Sequence, residues 1–262
     1  MTTSEKLAAI TAQKRTLLCV GLDTDAALLP DCLEKTPAGM VEFNRTIIEY
    51  TKPFAAAYKI NVAFYEQYGW RGWQAFEETR SLLPDGAISI VDAKRGDMGN
   101  TNDAYARTFY EYLNFDSVTA SPYLGFDSVE AFLLYEGKLT FVLALTSNPG
   151  SADFQRCLIH GKPLYRKVIE RCMEYRGAGG IGFVVGATHP EELRDIRSMC
   201  AAPLLIPGVG TQGGKPDEVM AANGAFPALV NVSRHIIYAS KGEDFGEKAG
   251  EMARSFASEL QV

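Results

Sequence analysis

The stretch VDAKRGDMGNTND, Val91 to Asp103, places Asp92, Lys94, Asp97 and Asp103 within twelve residues, directly behind the apolar run AISI. Asp92 and Lys94 are two positions apart, so on an extended strand both side chains leave the same face. Lys59, in AAAYKIN, ends another apolar run and can reach the same space. In an array of alternating sign, Lys59, Asp92, Lys94, Asp97, the carboxylates hold each lysine charged and fix the direction of its ammonium. Such a lysine is a positioned proton donor. The plainer account of an Asp-x-Lys pair is a structural ion-pair network, and the number of charges gathered at the ends of apolar runs argues against it. Asp97 lies beyond its run, in a loop, and can serve either its own subunit or a partner.

Charges of this kind need a scaffold that brings strand ends to one rim. The chain supplies eight short β-branched or apolar runs, at 17–23, 55–61, 87–93, 117–123, 140–146, 181–187, 203–209 and 228–234. Amphipathic segments such as MVEFNRTIIEYTKPF, YGWRGWQAFEETRSLL, NDAYARTFYEYL, SVEAFLLYE, YRKVIERCMEY, PEELRDIRSMC and FGEKAGEMARSFASEL separate or follow them. Strict alternation of this sort demands parallel strands joined by right-handed crossovers. No Ser/Gly-rich linker divides the 262 residues, a length that suits one (β/α)8 TIM barrel of about 250 residues. The expectation is a single α/β barrel domain over 1–262, with an N-terminal helix covering the barrel bottom; an open doubly wound sheet is the alternative. Barrel active sites lie at the C-terminal ends of the strands. Asp23, Lys59, Asn61, Asp92, Lys94, Thr146, Ser147, Ser233 and Arg234 all fall there.

Two further stretches suggest a ligand. IPGVGTQGGKP, Ile206 to Pro216, contains Gly208-x-Gly210-x-x-Gly213, a pattern shared with dinucleotide-binding turns. It sits at the seventh unit, and no acidic residue closes the next strand to take a ribose hydroxyl. In a barrel, the loops after strands 7 and 8 are instead a frequent phosphate site. Arg234 then offers a planar, permanently charged partner for a phosphate dianion, and Gln212 could bridge phosphate and base. In LTSNPGSADFQ, Leu145 to Gln155, Ser147 can make one hydrogen bond, while Pro149 and Gly150 shape a loop able to cover a flat ring. Alone, that segment reads as an ordinary turn.

Composition narrows the classes. A net charge of −6 lacks the basic stripe that nucleic-acid backbones require, and no apolar run approaches the roughly 20 residues of a membrane span. The start MTTSEKLAAITAQKRTLL has no continuous apolar core of a secretion signal. Five cysteines, odd in number and without a Cys-x-x-Cys pair, point to reduced thiols and a cytoplasmic location. His160, His189 and His235 lack the spacing of a zinc motif. No metal is expected.

With these residues in view, the chain resembles the orotidine 5'-monophosphate decarboxylase family, in its longer bacterial and protozoan subfamily with a Lys-Arg-Gly-Asp signature. DAKRGD matches Asp-x-Lys-x-x-Asp at Asp92, Lys94 and Asp97; GLD supplies Asp23 and YKINVAFYE supplies Lys59. TSNPG, PGVGTQGG and NVSRHI match a pyrimidine loop, a phosphate loop and a strand-8 phosphate arginine. The Asp-x-Lys-x-x-Asp pattern alone is shared with related sugar-phosphate decarboxylases and aldolases; all the segments in this order are more specific.

The resemblance implies decarboxylation of orotidine 5'-monophosphate to UMP in de novo pyrimidine biosynthesis, without metal or organic cofactor, in a homodimer with shared sites. Lys94 would protonate the ring carbon as carbon dioxide departs, with Lys59, Asp92 and Asp97 completing the charged array. Asp97 and Thr101 would reach the partner's site. Asp23 and Lys59 would hold the ribose, Ser147 the pyrimidine, and Gln212, the Ser233 N–H and Arg234 the phosphate, with Pro207 also at the substrate. Ser233 stands where compact members often have Gly, and Met98 where Ile or Thr is commoner. A magnesium-dependent sugar-phosphate decarboxylase or hexulose-phosphate synthase is the alternative. Those enzymes carry an acidic metal ligand at the strand-2 position, where Lys59 would repel a divalent cation. A catalytically silent nucleotide-binding barrel is the rival from another class, and the intact Asp92, Lys94, Asp97 set argues against it.

Overall fold

Across residues 1–210 and 213–262, which the computed structural model describes, eight parallel strands close on themselves. They are β1 (Leu18–Leu22), β2 (Ala57–Asn61), β3 (Ile88–Arg95), β4 (Ser117–Ala120), β5 (Leu139–Leu145), β6 (Gly180–Val185), β7 (Leu204–Pro207) and β8 (Ala228–Val232). The expected barrel of parallel strands is the fold observed, and the strands differ from the sequence runs only at their ends. β4 stops at Ala120, shortly before Pro122, which has no N–H to continue a ladder.

Strand parity sorts the side chains. Leu18, Val20 and Leu22 of β1 face the surrounding helices, whereas Cys19 joins Ala57, Ile88, Ile90, Leu139, Phe141, Leu205 and Leu229 inside the barrel. Leu7 and Ile10 of the first helix, Thr3–Lys14, pack into the same inner cluster. Thr2 and Glu5 close a reciprocal capping box at its start. Its Lys6 ammonium lies 2.9 Å from Asp116, immediately before β4, so the helix crosses the N-terminal end of the barrel. Higher along the strands the inward series changes character. Asp23, Lys59, Asn61, Asp92, Thr119 and Asn231 replace the aliphatic residues.

Two bulges interrupt the ladders at the C-terminal rim. Between β3 and β4, Val91 pairs with Val118 and Arg95 with Ala120, so β3 advances four positions while β4 advances two. Between β5 and β6, Leu143 pairs with Val184 and Leu145 with Val185. Bulges at barrel rims re-aim side chains; the first of these contains Lys94, and the second precedes the loop after β5.

Several elements differ from the sequence reading. The segment after β5 contains a small antiparallel ribbon, Leu158–Ile159 with Lys162–Pro163. A helix, Pro216–Asn223, follows β7. The helix after β3, Gly99–Arg107, gives way to a π turn at Thr108–Tyr112 instead of running straight through. Among the described residues no helix is long and apolar enough to cross a membrane.

Candidate active site

Register sets the first contacts. Gly21 on β1 pairs with Lys59 on β2, and Asn61 pairs with Asp92 on β3. The Lys59 ammonium lies 3.1 Å from Asp23 Oδ1 and 3.1 Å from Asp92 Oδ2, with its side chain only 4% exposed. Lys94 Nζ sits 2.6 Å from Asp92 Oδ1. The Thr119 hydroxyl donates to that same oxygen at 2.9 Å. Asp23, Lys59, Asp92 and Lys94 thus form a continuous chain of alternating sign.

This pairing resolves the cost of burying charge. Burial by itself raises the Asp92 carboxyl, but the ammonium groups of Lys59 and Lys94 outweigh it and hold the group well below the usual carboxylate range. For Lys59, burial favours the neutral amine; Asp23 and Asp92 overcome it and raise the group above an ordinary lysine. Beneath them Cys19 is buried, and that burial, partly offset by Lys59, pushes its thiol up to about 12. The ion pairs therefore concentrate ionised groups at the top of the barrel above a neutral interior.

Asp92 and Lys94 do meet, though not through plain strand alternation. Lys94 has a φ of +48°, in the left-handed region, and it lies within the β3 bulge. Its backbone N–H donates to Thr119 Oγ1 at 3.0 Å. The turn leaves the Lys94 side chain 49% exposed while Asp92 is 10% exposed. One member of the pair is anchored in the wall and the other opens on the cleft.

The cleft encloses about 310 Å³. Asp23, Lys59, Asp92 and Lys94 line one part, and Leu143, Val184 and Leu205 add apolar surface. Thr146, Ser147 and Asn148 enter from the segment after β5. Gln155 holds this entry by accepting the Thr146 N–H at 2.7 Å. Gly186 lets it approach β6, since a Cβ there would lie 2.8 Å from the Ser147 backbone.

Pro207, Ser233 and Arg234 also line the cleft. Gly208, with φ +104°, permits the turn in which Gly210 N–H donates to Gly214 O at 3.0 Å and Gly214 N–H donates to Gly208 O at 3.1 Å. Ser233 Oγ accepts from Asn231 Nδ2 at 3.1 Å, directly across from Gly21. Gln212 falls outside the described residues.

Of the remaining sequence candidates, Asp97 and Thr101 are not among the residues lining this cleft. Asp97 Oδ1 accepts the Met98 N–H at 2.8 Å, and Thr101 is exposed on the helix Gly99–Arg107. Arg95, next to Lys94, pairs with Glu66 and stacks 5.3 Å from the Tyr105 ring centre. Thr119, Asn148 and Asn231 line the cleft without having been singled out. Their signal was positional: Thr119 and Asn231 continue the inward parity of β4 and β8, although neither carries a charge.

Comparison with known proteins follows the same lines. Residues 16–249 match the family model described as "Orotidine 5'-phosphate decarboxylase / HUMPS family". Orotidine 5'-phosphate decarboxylase of Flavobacterium johnsoniae is 45% identical over 265 residues, covering 98% of this chain and 97% of that protein. The corresponding protein of Phocaeicola vulgatus is 46% identical over 257 residues, covering 95% and 94%. The solved structure of Leishmania donovani OMP decarboxylase aligns with a TM-score of 0.82 at 36% identity, over 98% of this chain and 100% of that one. Leishmania donovani UMP synthase gives a TM-score of 0.84 at 38% identity over 98% of this chain, which spans 57% of that longer protein. Given a family match over most of its length and relatives of this identity over nearly all of it, the chain belongs to the orotidine 5'-phosphate decarboxylase family.

Proposed function

We propose that this chain converts orotidine 5'-monophosphate to UMP by direct loss of carbon dioxide, with Lys94 as the proton donor. It is a carboxy-lyase of pyrimidine biosynthesis. The observation that carries the mechanism is the Asp23–Lys59–Asp92–Lys94 chain, which leaves one ammonium open to the cleft.

Breaking the bond between ring carbon and carboxylate leaves an electron pair on a carbon with no adjacent electron sink. A cation already in place stabilises that charge as it develops, without reorganising water. The pair then takes a proton from Lys94 Nζ, forming the C–H bond of the product, and solvent reprotonates the half-exposed amine. Asp92 directs the ammonium and Lys59 keeps Asp92 ionised. Asp23 and Lys59 face the ribose, Ser147 the pyrimidine, and Pro207, Ser233 and Arg234 the phosphate end, joined by Gln212. Binding the phosphate away from the reacting carbon holds the ring at the array.

The working unit in this reading is a homodimer, in which Asp97 and Thr101 complete the neighbour's site. Three exposed apolar side chains support it. Met98 follows Asp97, and the loop after β3 packs at Gly96 against Ser121, beside exposed Tyr123 and Leu124. A cytoplasmic setting is part of the same reading and fits the five free cysteines.

Loss of orotidylate absorbance on incubation with pure protein and a chelator tests the activity. Turnover should persist; abolition by the chelator would instead favour the magnesium-dependent branch. Lys94→Ala should lose turnover while UMP still binds, and unchanged turnover would remove Lys94 from the role of proton donor.

A further inference from the structure

We infer that Thr119 is a positioning residue for Lys94, holding the lysine at both ends through a single hydroxyl; this rests on Lys94 being the proton donor. Thr119 is 1% exposed and faces inward from β4. Its Oγ1 accepts the Lys94 backbone N–H at 3.0 Å and donates to Asp92 Oδ1 at 2.9 Å. The directions are forced, because an amide N–H can only donate and an ionised carboxylate can only accept. Asp92 Oδ1 in turn accepts from Lys94 Nζ at 2.6 Å. The bonds close a ring from the lysine's main chain through Thr119 and Asp92 to its own ammonium.

The bulge explains why the ring is needed. Between Val91 and Arg95 the β3–β4 ladder skips, so the Lys94 N–H finds its partner in a side chain. Lys94 also holds a positive φ of +48°, which a residue with a Cβ disfavours unless its surroundings compel it. Beyond the backbone the lysine has a long flexible stem and a half-exposed side chain. Among the described residues the Asp92 carboxylate alone bonds its tip, and Thr119 is one of the groups that orient that carboxylate. Threonine suits the task better than serine because its branched Cβ restricts χ1.

Thr119→Val keeps the shape and removes the hydroxyl. With orotidine 5'-monophosphate as substrate, kcat should fall roughly 10- to 100-fold, the scale expected when a reacting group is misplaced by about an ångström. KM and the Kd for UMP should change less than about threefold, since uniform binding is not what the hydroxyl supplies. Thr119→Ser should recover most of the lost kcat. Wild-type kcat in Thr119→Val would overturn the inference, as would a folded Thr119→Ser no better than a folded Thr119→Val. Should Thr119→Val fail to fold, as judged by its melting curve and UMP binding, Thr119→Ala against Thr119→Ser makes the same comparison. Lys94→Ala measured alongside separates the two levels: its retained turnover would remove the proton-donor reading, whereas its inactivity with normal Thr119→Val would remove the Thr119 inference alone.

Discussion

Gly21→Ala tests whether the Ser233 end of the cleft, the end proposed to hold the phosphate, depends on the missing Cβ of β1. A Cβ at this position would lie 1.9 Å from Ser233 Oγ, 2.9 Å from Asn231 Oδ1 and 3.0 Å from Ser233 Cβ. Non-bonded carbon atoms prefer about 3.5–4.0 Å, so the hydroxyl must move by well over an ångström. Ser233 can turn away only by giving up its 3.1 Å bond from Asn231 Nδ2. That bond contributes about 1 kcal/mol, and overpacking adds typically 1–3 kcal/mol. Against this, alanine at an ordinary strand φ restricts the unfolded chain and returns about 0.4–1 kcal/mol. The net loss is therefore roughly 1–3.6 kcal/mol, which at about 2–4 °C per kcal/mol lowers Tm by roughly 2–14 °C. Displacing Ser233 should also raise KM for orotidine 5'-monophosphate more than it lowers kcat, because the disturbance falls at the end of the cleft proposed to hold the phosphate. Ser233→Gly in the same chain removes two of the three crowding atoms. Gly21→Ala/Ser233→Gly should regain at least about 1 kcal/mol beyond additivity. Thermal melts and steady-state kinetics on the four proteins of the cycle measure both effects. Strict additivity, or an unchanged Tm and KM in Gly21→Ala, would refute the reasoning.

Lys59→Met leaves Asp23 and Asp92 without the cation between them; it should lose about 3–5 kcal/mol in a urea titration, and adding Asp92→Asn should restore much of that stability without restoring activity. The pH dependence follows from the directions of the two shifts. Asp92 is depressed, so its contribution is present above the ordinary carboxylate value of about 3.9 and is lost as pH falls below it; Lys59 is raised, so its contribution is present below about 10.4 and is lost above. Melting temperatures should then show a plateau from roughly pH 5 to 9 as far as this array is concerned, and Asp92→Asn should flatten the acid limb. Arg197, buried beside the segments that lead into β7 and β8, donates to Asn223 Oδ1 at 2.7 Å, Ala202 O at 2.6 Å and Pro227 O at 2.9 Å. Arg197→Met should cost about 2–4 kcal/mol by leaving those acceptors unpaired, with kcat of the folded protein unchanged. Mixing Asp97→Ala and Lys94→Ala proteins should restore activity at some hybrid sites, and no recovery after confirmed subunit exchange would contradict shared sites.

The barrel was legible because its strands are short, apolar and regularly spaced, and because burial on both faces permits continuous runs such as LLCVGL and TFVLAL. Elements that lean on tertiary surroundings were less so. The ribbon at Leu158–Ile159 and Lys162–Pro163 places Leu158 69% exposed, against the usual bias of such a side chain. The π turn at Thr108–Tyr112 departs from an amphipathic pattern that reads as uninterrupted helix. In each case the local signal is real, but the geometry is set by what the segment packs against.

The site divides along a similar line. Opposite charges at the ends of apolar runs are conspicuous, because burying them unpaired is so costly; Asp23, Lys59, Asp92 and Lys94 therefore announce one another. Neutral groups carry no such signal. Thr119 in SVTASPY and Asn231 in ALVNVSR look like ordinary strand residues until parity places them inside the barrel. Parity also predicts that Asp92 and Lys94 share a face, yet it contains nothing of the bulge and the left-handed turn by which they meet. A regular strand would carry both side chains inward. The bulge instead leaves Asp92 in the wall and lets Lys94 enter the open cleft, and that inequality is what the proton-donor role proposed for Lys94 requires: a fixed counter-charge behind it and access to substrate and solvent in front.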